Sequence, residues 1–220
     1  MKIISLNKLD PMPAIKEAIN TLEKGGVVVY PTDTVYGLGA NALDEYAVEQ
    51  VFRVKDRPLN KPLPIIARNI KWVKELAFVH PKLEEPLIKI WSFGNNQDKL
   101  GPTTIILPKK EIIPWIVTSK QKNVGIRVPD FDFTDKLLGK YGYPLTATSA
   151  NISGLEPSGD PEEIKRMFSG RTWKPDLFID AGNLPKSEPS TVLDLSTIKP
   201  RILRIGASNP DRLMKLLGVL

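Results

Sequence analysis

The alternation of short apolar runs with amphipathic segments predicts an α/β fold, in which a β-sheet is covered by helices. The runs are rich in Val, Ile and Thr, as strands are, whereas the segments between them repeat apolar residues every three or four positions, as helices do. A chain of 220 residues with 41% hydrophobic composition can bury one core and is short for two. We therefore expect a single domain over residues 1–220.

End signals define the first elements. Apolar positions between residues 11 and 24 share one helical face, and a glycine pair ends that helix. A strand over residues 27–30 follows, and the glycine-rich stretch 37–39 indicates a turn. Asp44 is a candidate N-cap for a second helix, which ends before Pro58.

The rest of the chain continues the alternation. Further strands are predicted over residues 64–67, 103–107, 124–128, 145–148, 177–179, 191–195 and 201–205. Further helices are predicted over residues 70–77, 82–91, 133–141, 161–168 and 210–217.

Composition excludes several kinds of chemistry. The chain has no cysteine, which excludes disulfides, thiol nucleophiles and cysteine-ligated zinc, and His80 is its only histidine. A catalytic triad or a histidine-based metal site would depend on that single residue. No apolar stretch approaches the roughly 18 to 20 residues that cross a bilayer, and the start lacks a signal-peptide core. We expect a cytoplasmic protein with no membrane contact.

The basic balance of the chain favours anionic partners. The net charge is +6 and the pI is near 9.4, which suits nucleotides, pyrophosphate or RNA. The lysines at positions 109, 110, 120, 122 and 136 are scattered along the sequence. An ordinary soluble basic surface therefore explains them as well as an RNA-binding track does.

Three familiar motifs are incomplete. Residues 37–42 have the Gly-x-Gly-x-x-Ala spacing of a dinucleotide fold, but the polar stretch 32–36 interrupts the tight turn that this fold requires. No phosphate loop of the Gly-x-x-x-x-Gly-Lys-Ser/Thr type is present, so ATP would have to be held in another way. Ser149 lacks a nucleophile elbow and a base, which argues against covalent catalysis.

Polar residues gather in three clusters. One spans residues 30–39 and follows a run of valines, a second spans residues 55–62 and contains three cations, and a third spans residues 146–154 and carries hydroxyls and an amide. A strand that ends in such residues delivers polar groups to the rim of a sheet. Each cluster alone could be an ordinary polar loop, but the three together indicate a binding site.

These clusters resemble the signature of the YrdC-type family. That signature is a Pro-Thr-Asp-Thr-x-Tyr-Gly-Leu segment, a Lys-x-Arg pair and a Ser-x-Asn pair, which here are residues 31–38, Lys55 with Arg57, and Ser149 with Asn151. Weaker matches follow in order at residues 101–107, 126–130, 190–194 and 202–206. The resemblance covers nearly the whole chain. It implies a twisted mixed β-sheet covered by helices, with a concave ligand-binding surface.

The resemblance also implies an activity. It implies that L-threonine, bicarbonate and ATP are combined into threonylcarbamoyl-AMP with release of pyrophosphate, for threonylcarbamoyladenosine modification of tRNA. Such nucleotidyl transfer needs positioning and charge neutralisation more than a protein nucleophile. Magnesium is expected with ATP, held mainly by phosphate oxygens and water, because no carboxylate cluster is evident. The macromolecular partner that the resemblance implies is tRNA or a tRNA-modifying transferase complex.

Matching motifs assign roles residue by residue. Lys55 and Arg57 are the expected catalytic pair, holding the carbamate and the triphosphate. The residues expected to line the threonine and bicarbonate end are Thr32, Asp33, Thr34, Tyr36, Thr104 and Arg127. Those expected to contact ATP are Lys55, Arg57, Lys61, Ser149, Asn151, Ser190 and Arg204. Threonines are also common strand formers, which is the alternative for Thr104.

Ordinary structural roles stay open for the cations. Lys55 and Arg57 could be solvent-facing charges at the end of a helix. Arg127 lies inside a strand-like run and could instead form a salt bridge with Asp180 or Asp194. If the functional interpretation holds, alanine at Lys55 or Arg57 should leave the fold intact and remove most of the activity.

The sequence departs from the family pattern at four places, and these limit which family properties can be assigned to it. Ile66 stands where some family members carry a histidine, so no histidine role in threonine binding carries over. The stretch Ser92 to Lys99 reads as an insertion, and Ile205 stands where proline is usual. The sequence stops at Leu220, and we expect no extra C-terminal domain of the kind that longer members carry.

Two rival functions stay open. A non-catalytic RNA-binding or ribosome-associated module of the same fold would explain the basic pI, although no RNA-recognition aromatic signature is present and the tryptophans are expected in the core. A carbamoyl-adenylate activity of the kind found in hydrogenase-maturation proteins would use carbamoyl phosphate and ATP. The choice of ligand distinguishes the three functions: threonine with ATP, carbamoyl phosphate with ATP, or RNA alone.

Overall fold

The computed structural model describes residues 1–91 and 100–218, which form helices interleaved with short strands. The helices are α1 (Met12–Glu23), α2 (Glu45–Lys55), α3 (Ile70–Leu76), α4 (Pro81–Ile90), α5 (Asp132–Tyr141), α6 (Pro161–Phe168) and α7 (Pro210–Leu216). The strands are β1 (Lys2–Ser5), β2 (Val28–Tyr30), β3 (Gly37–Gly39), β4 (Ile65–Ile66), β5 (Thr103–Pro108), β6 (Asn123–Arg127), β7 (Leu145–Thr146), β8 (Thr148–Ser149), β9 (Leu177–Asp180), β10 (Thr191–Asp194) and β11 (Arg201–Arg204). The predicted α/β class is confirmed. The predicted insertion at Ser92 to Lys99 lies outside the described residues.

The described strands form two mixed sheets, whereas the sequence suggested one. The first sheet has the order β1-β9-β2-β3-β8, and the second has the order β11-β10-β5-β6-β4-β7. In the first sheet, β9 lies between β1 and β2 and runs parallel to both, while β3 runs antiparallel to β2. In the second sheet, β5 runs parallel to β10 and antiparallel to β6. Hydrophobic periodicity predicts which residues form strands but not which strands pair with each other. The sequence therefore contained no indication that the strands divide into two sheets.

One short segment joins the two sheets. Strand β7 pairs with β4 of the second sheet, and β8 pairs with β3 of the first. Between them, the Ala147 N–H donates to the Pro64 carbonyl oxygen at 2.8 Å. The predicted single strand over residues 145–148 therefore belongs to both sheets, and the residues that follow it lie at their border.

Residues 37–39 form a strand, so the predicted turn is wrong. Strand β3 pairs with β2, which makes residues 31–36 the loop of a hairpin. The glycines are required because the Tyr30 ring lies against them: a Cβ atom would come within 2.8 Å of the ring at Gly37 and within 2.6 Å at Gly39. The Tyr30 hydroxyl group donates to the Thr146 carbonyl oxygen at 3.1 Å, which fixes the ring in that position.

Most helix ends follow the predicted signals. The Asp44 carboxylate caps α2 by accepting backbone N–H groups of the first turn, and the helix stops at Lys55 because Asp56 adopts a left-handed conformation with φ 53°. His80 is the N-cap of α4, and its Nδ1 accepts the Lys82 N–H. Strand β1 was not predicted, because it is a short and mostly exposed edge strand without alternation. In the described part of the chain, no helix combines the length and the apolar character that crossing a membrane would require.

The hydrophobic core forms two clusters. The larger contains Val29, Leu38, Val51 and Ile126, and the smaller packs α1 against α5. Trp91 is buried, as expected for the core. The same expectation is wrong for Trp115 and Trp173, which are 44% and 45% exposed.

We expect Gly39→Ala to lower the free energy of unfolding by about 1 to 3 kcal/mol, because overpacking a buried strand forces its neighbours to shift. The new methyl group would meet the Tyr30 ring at 2.6 Å and the Thr146 carbonyl oxygen at 2.9 Å. Gly139→Ala is the control: its Cβ would come within 2.8 Å of Arg68, an exposed side chain that can turn away, and alanine favours a helix. Urea denaturation gives the free energy of unfolding of both variants and of the wild type. Equal free energies of unfolding would contradict the constraint assigned to the Tyr30 ring.

Candidate active site

Lys55 lies beneath the segment that follows β8. It is the last residue of α2 and is only 3% exposed. Its Nζ donates to the Ser149 carbonyl oxygen at 2.7 Å, the Asn151 carbonyl oxygen at 2.9 Å and the Asn151 Oδ1 at 2.6 Å. All three donors of an ammonium group are thus used on one short segment. Lys55 is therefore not the solvent-facing helix-end charge considered from sequence.

Further hydrogen bonds fix the same segment. The Ser149 hydroxyl group donates to the Asn151 Oδ1 at 2.6 Å, and the Asn151 Nδ2 donates to the Ile152 carbonyl oxygen at 3.2 Å. The Ser153 N–H donates to the Lys55 carbonyl oxygen at 2.8 Å. The structure therefore brings together Lys55, Ser149 and Asn151, which the sequence assigned to one site.

Two opposing effects act on the protonation of Lys55. Burial, followed by the nearby positive charge of Arg57, lowers the pKa of Lys55 to about 7. The three oxygen acceptors favour the ammonium form, because a neutral amine has only two N–H groups to offer them. Arg57, the second cation beside Lys55, donates to backbone carbonyl oxygens, so both cations make this end of α2 electropositive. A bound anion would be stabilised there.

Arg57 braces the loop that follows α2. Its Nε donates to the Lys61 carbonyl oxygen at 3.0 Å and its Nη2 to the Pro62 carbonyl oxygen at 2.8 Å. Burial lowers the pKa of Arg57, although a guanidinium stays charged at any physiological pH. The Lys61 side chain is exposed. The loop thus presents two cations in a conformation that Arg57 itself fixes.

Arg127, the last residue of β6, pairs with the loop of the β2-β3 hairpin. Its Nη2 donates to the Asp33 Oδ1 at 2.6 Å and its Nη1 to the Thr34 Oγ1 at 3.1 Å. The Arg127 and Asp33 side chains are 11% and 15% exposed. The Arg127 Nε is buried, and no described residue accepts a hydrogen bond from it. This ion pair therefore leaves one donor of the guanidinium unsatisfied.

The two aspartates considered from sequence as partners of Arg127 pair elsewhere, so that prediction is wrong. Asp180 binds Lys165 at 2.9 Å and belongs to the other sheet. Asp194 binds Arg201 at 3.2 Å, and its register with β5 places it two residues along the sheet from Thr104.

Thr32 shapes the hairpin loop from within. Its hydroxyl group donates to the Val35 carbonyl oxygen at 2.6 Å and lies 3.1 Å from both the Thr34 N–H nitrogen and the Thr34 hydroxyl oxygen. These bonds hold the loop in the shape that presents Asp33 and Thr34 to Arg127. Thr32, Asp33 and Thr34 thus act as one unit.

Thr104, Ser190 and Arg204 form a neighbouring group on the second sheet. The Thr104 and Ser190 hydroxyl oxygens are 2.8 Å apart, and the Arg204 Nη2 donates to the Ser190 carbonyl oxygen at 2.7 Å. The sheet explains this: Val192 of β10 pairs with both Thr104 and Arg204, and the β5-β6 register brings Arg127 beside Thr104. Burial lowers the pKa of Arg204, and the positive charge of Arg127 lowers it further.

Tyr36 is a core residue whose hydroxyl group is already engaged. The side chain is fully buried and packs edge-on against Phe178, with ring centroids 5.2 Å apart. Its hydroxyl group donates to the Gly182 carbonyl oxygen at 2.7 Å and accepts the Ala181 N–H at 2.9 Å. Burial raises the pKa of Tyr36 to about 12, so the phenol is neutral. Unlike its neighbours in the motif, it holds the turn after β9.

Tyr30 is a buried core residue near Arg127 and Asp33 that sequence reasoning did not single out. Burial raises the pKa of Tyr30 well above its usual range, with Arg127 lowering it and Asp33 raising it, so both charges act on this phenol. The ring also determines the glycines of β3. The sequence did contain a signal for this contact: Gly37 and Gly39 alternate in β3, and the preceding strand ends in the aromatic residue Tyr30.

Buried cations beside hydroxyl-rich loops, at the border of two mixed sheets, give this α/β protein an electropositive site. The sequence pattern of the Sua5/YciO/YrdC family, described as "Telomere recombination", matches residues 20–206. The chain belongs to this family.

Individual relatives agree with that assignment. The threonylcarbamoyl-AMP synthase of Pyrococcus abyssi is 36% identical over 205 residues, covering 93% of this chain and 57% of the relative. The threonylcarbamoyl-AMP synthase of Hydrogenovibrio crunogenus is 32% identical over 191 residues, covering 86% of this chain and 97% of the relative. The crystal structure of P. abyssi Sua5 complexed with L-threonine superposes with a TM-score of 0.89 at 34% identity, covering 100% of this chain and 62% of that one. The chain thus spans little more than half of the Pyrococcus proteins that it matches.

We expect a double-mutant cycle to reveal coupling between Asp33 and Arg127 of about 0.5 to 3 kcal/mol, the range for residues in direct contact. Each single alanine variant leaves a partly buried partner unpaired, so the double variant should lose less than the sum of the two. The pair Asp180→Ala with Arg127→Ala is the control, since Asp180 binds Lys165 instead. Guanidinium denaturation of all variants provides the free energies. Additivity for Asp33 and Arg127 would show that their contact contributes nothing.

We expect Lys55→Met to destabilise the protein, although the sequence suggested that the fold would tolerate the loss of Lys55. Methionine fills the space of the lysine side chain but removes its three hydrogen bonds. The Ser149 carbonyl oxygen and the Asn151 Oδ1 keep a second donor each, whereas the Asn151 carbonyl oxygen loses its donor, at about 1 to 3 kcal/mol for an unsatisfied buried group. Arg53→Met is the control in the same helical turn: Arg53 is exposed, pairs with Glu49 and lies over the Trp173 ring at 4.8 Å, so its loss should cost at most about 1 kcal/mol. Thermal and urea unfolding compare the two. Similar stability losses would mean that the three bonds of Lys55 are not important for the fold.

Proposed function

We propose that this protein is an L-threonylcarbamoyladenylate synthase, a nucleotidyltransferase that makes threonylcarbamoyl-AMP and pyrophosphate from L-threonine, bicarbonate and ATP. One observation carries the proposal: Lys55, buried at the end of α2, holds the Ser149 and Asn151 segment through three hydrogen bonds, beside the cations Arg57 and Lys61. The names of the relatives support the same activity.

The reaction requires two bond-forming steps. The threonine amine attacks the carbon of bicarbonate, and a C–O bond breaks with loss of water, which yields a carbamate. A carbamate oxygen then attacks the α-phosphorus of ATP, and the bond to the bridging oxygen breaks, so that pyrophosphate leaves. Neither step requires a protein nucleophile, because both nucleophiles belong to the substrates. The protein must instead bring together species that are mostly negative, and fixed cations lower that cost.

We assign different roles to the cations of the α2 end. Lys55 spends its donors on Ser149 and Asn151, so it is a positioning residue that shapes the phosphate-binding segment and adds positive potential beneath it. Arg57 uses two of its five donors on the loop, which leaves others for triphosphate oxygens. Lys61 is exposed and can reach an outer phosphate group.

We assign the binding of threonine and bicarbonate to the residues around Arg127 and Arg204. Arg127 has an unsatisfied Nε and lies beside Arg204, so the two arginines offer more positive charge than Asp33 neutralises. A carboxylate or carbamate would complete this arrangement, and the hydroxyl groups of Thr34 and Thr104 lie next to it. The Pyrococcus relative that was crystallised with L-threonine supports threonine as a ligand of this protein.

Magnesium is assigned to the nucleotide. Among residues 1–91 and 100–218, no group of three or more His, Asp or Glu side chains could hold a metal ion. Phosphate oxygens and water would therefore supply its ligands, and the ion would neutralise part of the triphosphate charge. The downstream use of the product in tRNA modification and a cytoplasmic location belong to the same proposal.

We expect Arg57→Ala to reduce threonine-dependent release of pyrophosphate by about 10- to 150-fold, the equivalent of about 1.5 to 3 kcal/mol of charge-assisted hydrogen bonding. The assay contains ATP, magnesium, bicarbonate and L-threonine, with mass spectrometry of the adenylate. Arg53→Ala is the matched control, since Arg53 lies in the last turn of the same helix but bonds Glu49 on the surface. Its rate should stay within about twofold of the wild type.

Other outcomes would separate the rival functions. Pyrophosphate release that depends on carbamoyl phosphate rather than on threonine would assign the protein to the carbamoyl-adenylate class. A folded wild-type protein that produces no adenylate from either substrate would refute the synthase proposal.

A further inference from the structure

Arg204 lies at the end of a strand that gives it little support. Strand β11 is the outer strand of the second sheet and is largely exposed, and its register with β10 is irregular between Val192 and Leu193. Yet the Arg204 Nε and Nη2 both donate to the Ser190 carbonyl oxygen, at 3.1 Å and 2.7 Å. The strand alone does not explain this placement, whereas the contacts of the residues that follow it do.

The Thr191 hydroxyl group is at the centre of those contacts. Thr191 is fully buried, and its Oγ1 accepts the Gly206 N–H at 3.0 Å and the Ser208 N–H at 3.1 Å. The same hydroxyl group donates to the Ser208 carbonyl oxygen at 3.1 Å. A hydroxyl group has one donor and two acceptor sites, so Thr191 uses all three on the segment 206–208.

Close backbone contacts fix the same segment. A Cβ atom on Gly206 would come within 2.1 Å of the Pro189 carbonyl oxygen, which is closer than two such atoms can approach. The Ala207 N–H donates to that oxygen at 3.0 Å. A second close contact lies at Gly101, where a Cβ atom would be 3.1 Å from the Ala207 carbonyl oxygen. The segment that follows Arg204 is therefore held by two other parts of the chain.

These contacts determine where Arg204 lies. Arg204 precedes Gly206 by two residues, so a fixed Gly206 limits the backbone from which the Arg204 side chain extends. The Arg204 Nη2 also donates to the Ser190 Oγ at 3.1 Å, and that hydroxyl oxygen is 2.8 Å from the Thr104 hydroxyl oxygen. The Arg204 Nη1 takes no part in these bonds and could contact a ligand. Thr191, which is fully buried, can act only through other residues.

We propose that Thr191 and Gly206 are positioning residues for the synthase reaction. They hold the backbone after β11 against Ser190, so that the Arg204 guanidinium is in place to bind the carboxylate or carbamate of the threonine substrate. A guanidinium that is already in place loses less side-chain entropy when it binds an anion. The proposal rests on the proposed function, because it assigns a role within that reaction.

Thr191→Val tests the role of the hydroxyl group. Valine has nearly the shape of threonine but leaves the Gly206 and Ser208 N–H groups without their acceptor. At saturating ATP, kcat/KM for L-threonine should fall by about 5- to 100-fold, between the loss of one hydrogen bond and the misplacement of a binding group. Thr118→Val is the control for the exchange itself, since Thr118 is also fully buried but bonds the Trp115 carbonyl oxygen. It should keep wild-type turnover.

Thr191→Ser separates positioning from stability. Serine keeps the hydroxyl group but loses a buried methyl group, so this variant should unfold at a lower urea concentration than the wild type. Its kcat/KM should nevertheless stay within about twofold of the wild type. If Thr191 only stabilised the fold, activity would follow stability in both variants.

Combined variants test the link to Arg204. Arg204→Ala alone should reduce kcat/KM by about 10- to 150-fold, the loss of a charge-assisted hydrogen bond. Adding Thr191→Val to it should change kcat/KM by less than about twofold, because the guanidinium that Thr191 places is then absent; independent effects would multiply. Gly206→Ala should behave as Thr191→Val does. If the alanine cannot be accommodated at Gly206 and the variant fails to fold, the Thr191 variants decide the proposal.

Three results would overturn the proposal. They are wild-type kcat/KM in Thr191→Val, an equal loss in Thr191→Ser, and multiplication of the losses in the variant that combines Thr191→Val with Arg204→Ala. A wild-type protein that makes no adenylate would instead refute the synthase proposal. The urea midpoints of the same variants require no activity. The shifts caused by Thr191→Val and Arg204→Ala should be non-additive, and additive shifts would overturn the placement of Arg204 by Thr191 in that case too.

Discussion

The arrangement of the candidate site depends on the ammonium group of Lys55. Its three hydrogen bonds link the end of α2 to Ser149 at the end of β8 and to Asn151 just beyond it, and β8 follows Ala147, where the chain passes from one sheet to the other. A buried charge adds little net stability, because desolvation opposes the gain from its hydrogen bonds. Its role is in specificity. Only a chain in which α2 and β8 are correctly placed can satisfy the hydrogen-bonding groups of that charge, so alternative packings of the chain have a higher free energy than the native one.

The two halves of the site belong to different sheets and differ in their electrostatics. Beside α2, cations are held by neutral carbonyl and amide oxygens, so their charge is undiminished. Beside β6, Arg127 is partly neutralised by Asp33 but faces a second arginine. A ligand with two anionic ends would therefore span both sheets. The more negative end would contact the cations beside α2, which no acidic side chain neutralises among their described contacts. The smaller end would contact the Asp33–Arg127 ion pair, whose fixed geometry favours a ligand of matching shape.

Much of the fold could be predicted, because local signals define local structure. Asp44 and the proline at position 58 mark the ends of a helix regardless of what surrounds it. The burial of Lys55 could not be predicted in this way, since a lysine at a helix end is usually solvated and its acceptors are backbone oxygens that no residue type announces. The Asp33–Arg127 pair joins residues 94 positions apart. Several aspartates were equally plausible partners until the strand order was known.

The position of β9 between β1 and β2 affects how the protein is made. Both neighbours are synthesised first, yet neither can complete its hydrogen bonding until residues 177–180 have left the ribosome. The nascent chain must therefore carry the unpaired edge of β2, a strand that is fully buried in the finished fold, through most of translation. Such an edge is a template for misassociation. Slow elongation before β9 should prolong that exposure, so the yield of native protein in cells should depend on chaperone capacity more than on the stability of the finished fold.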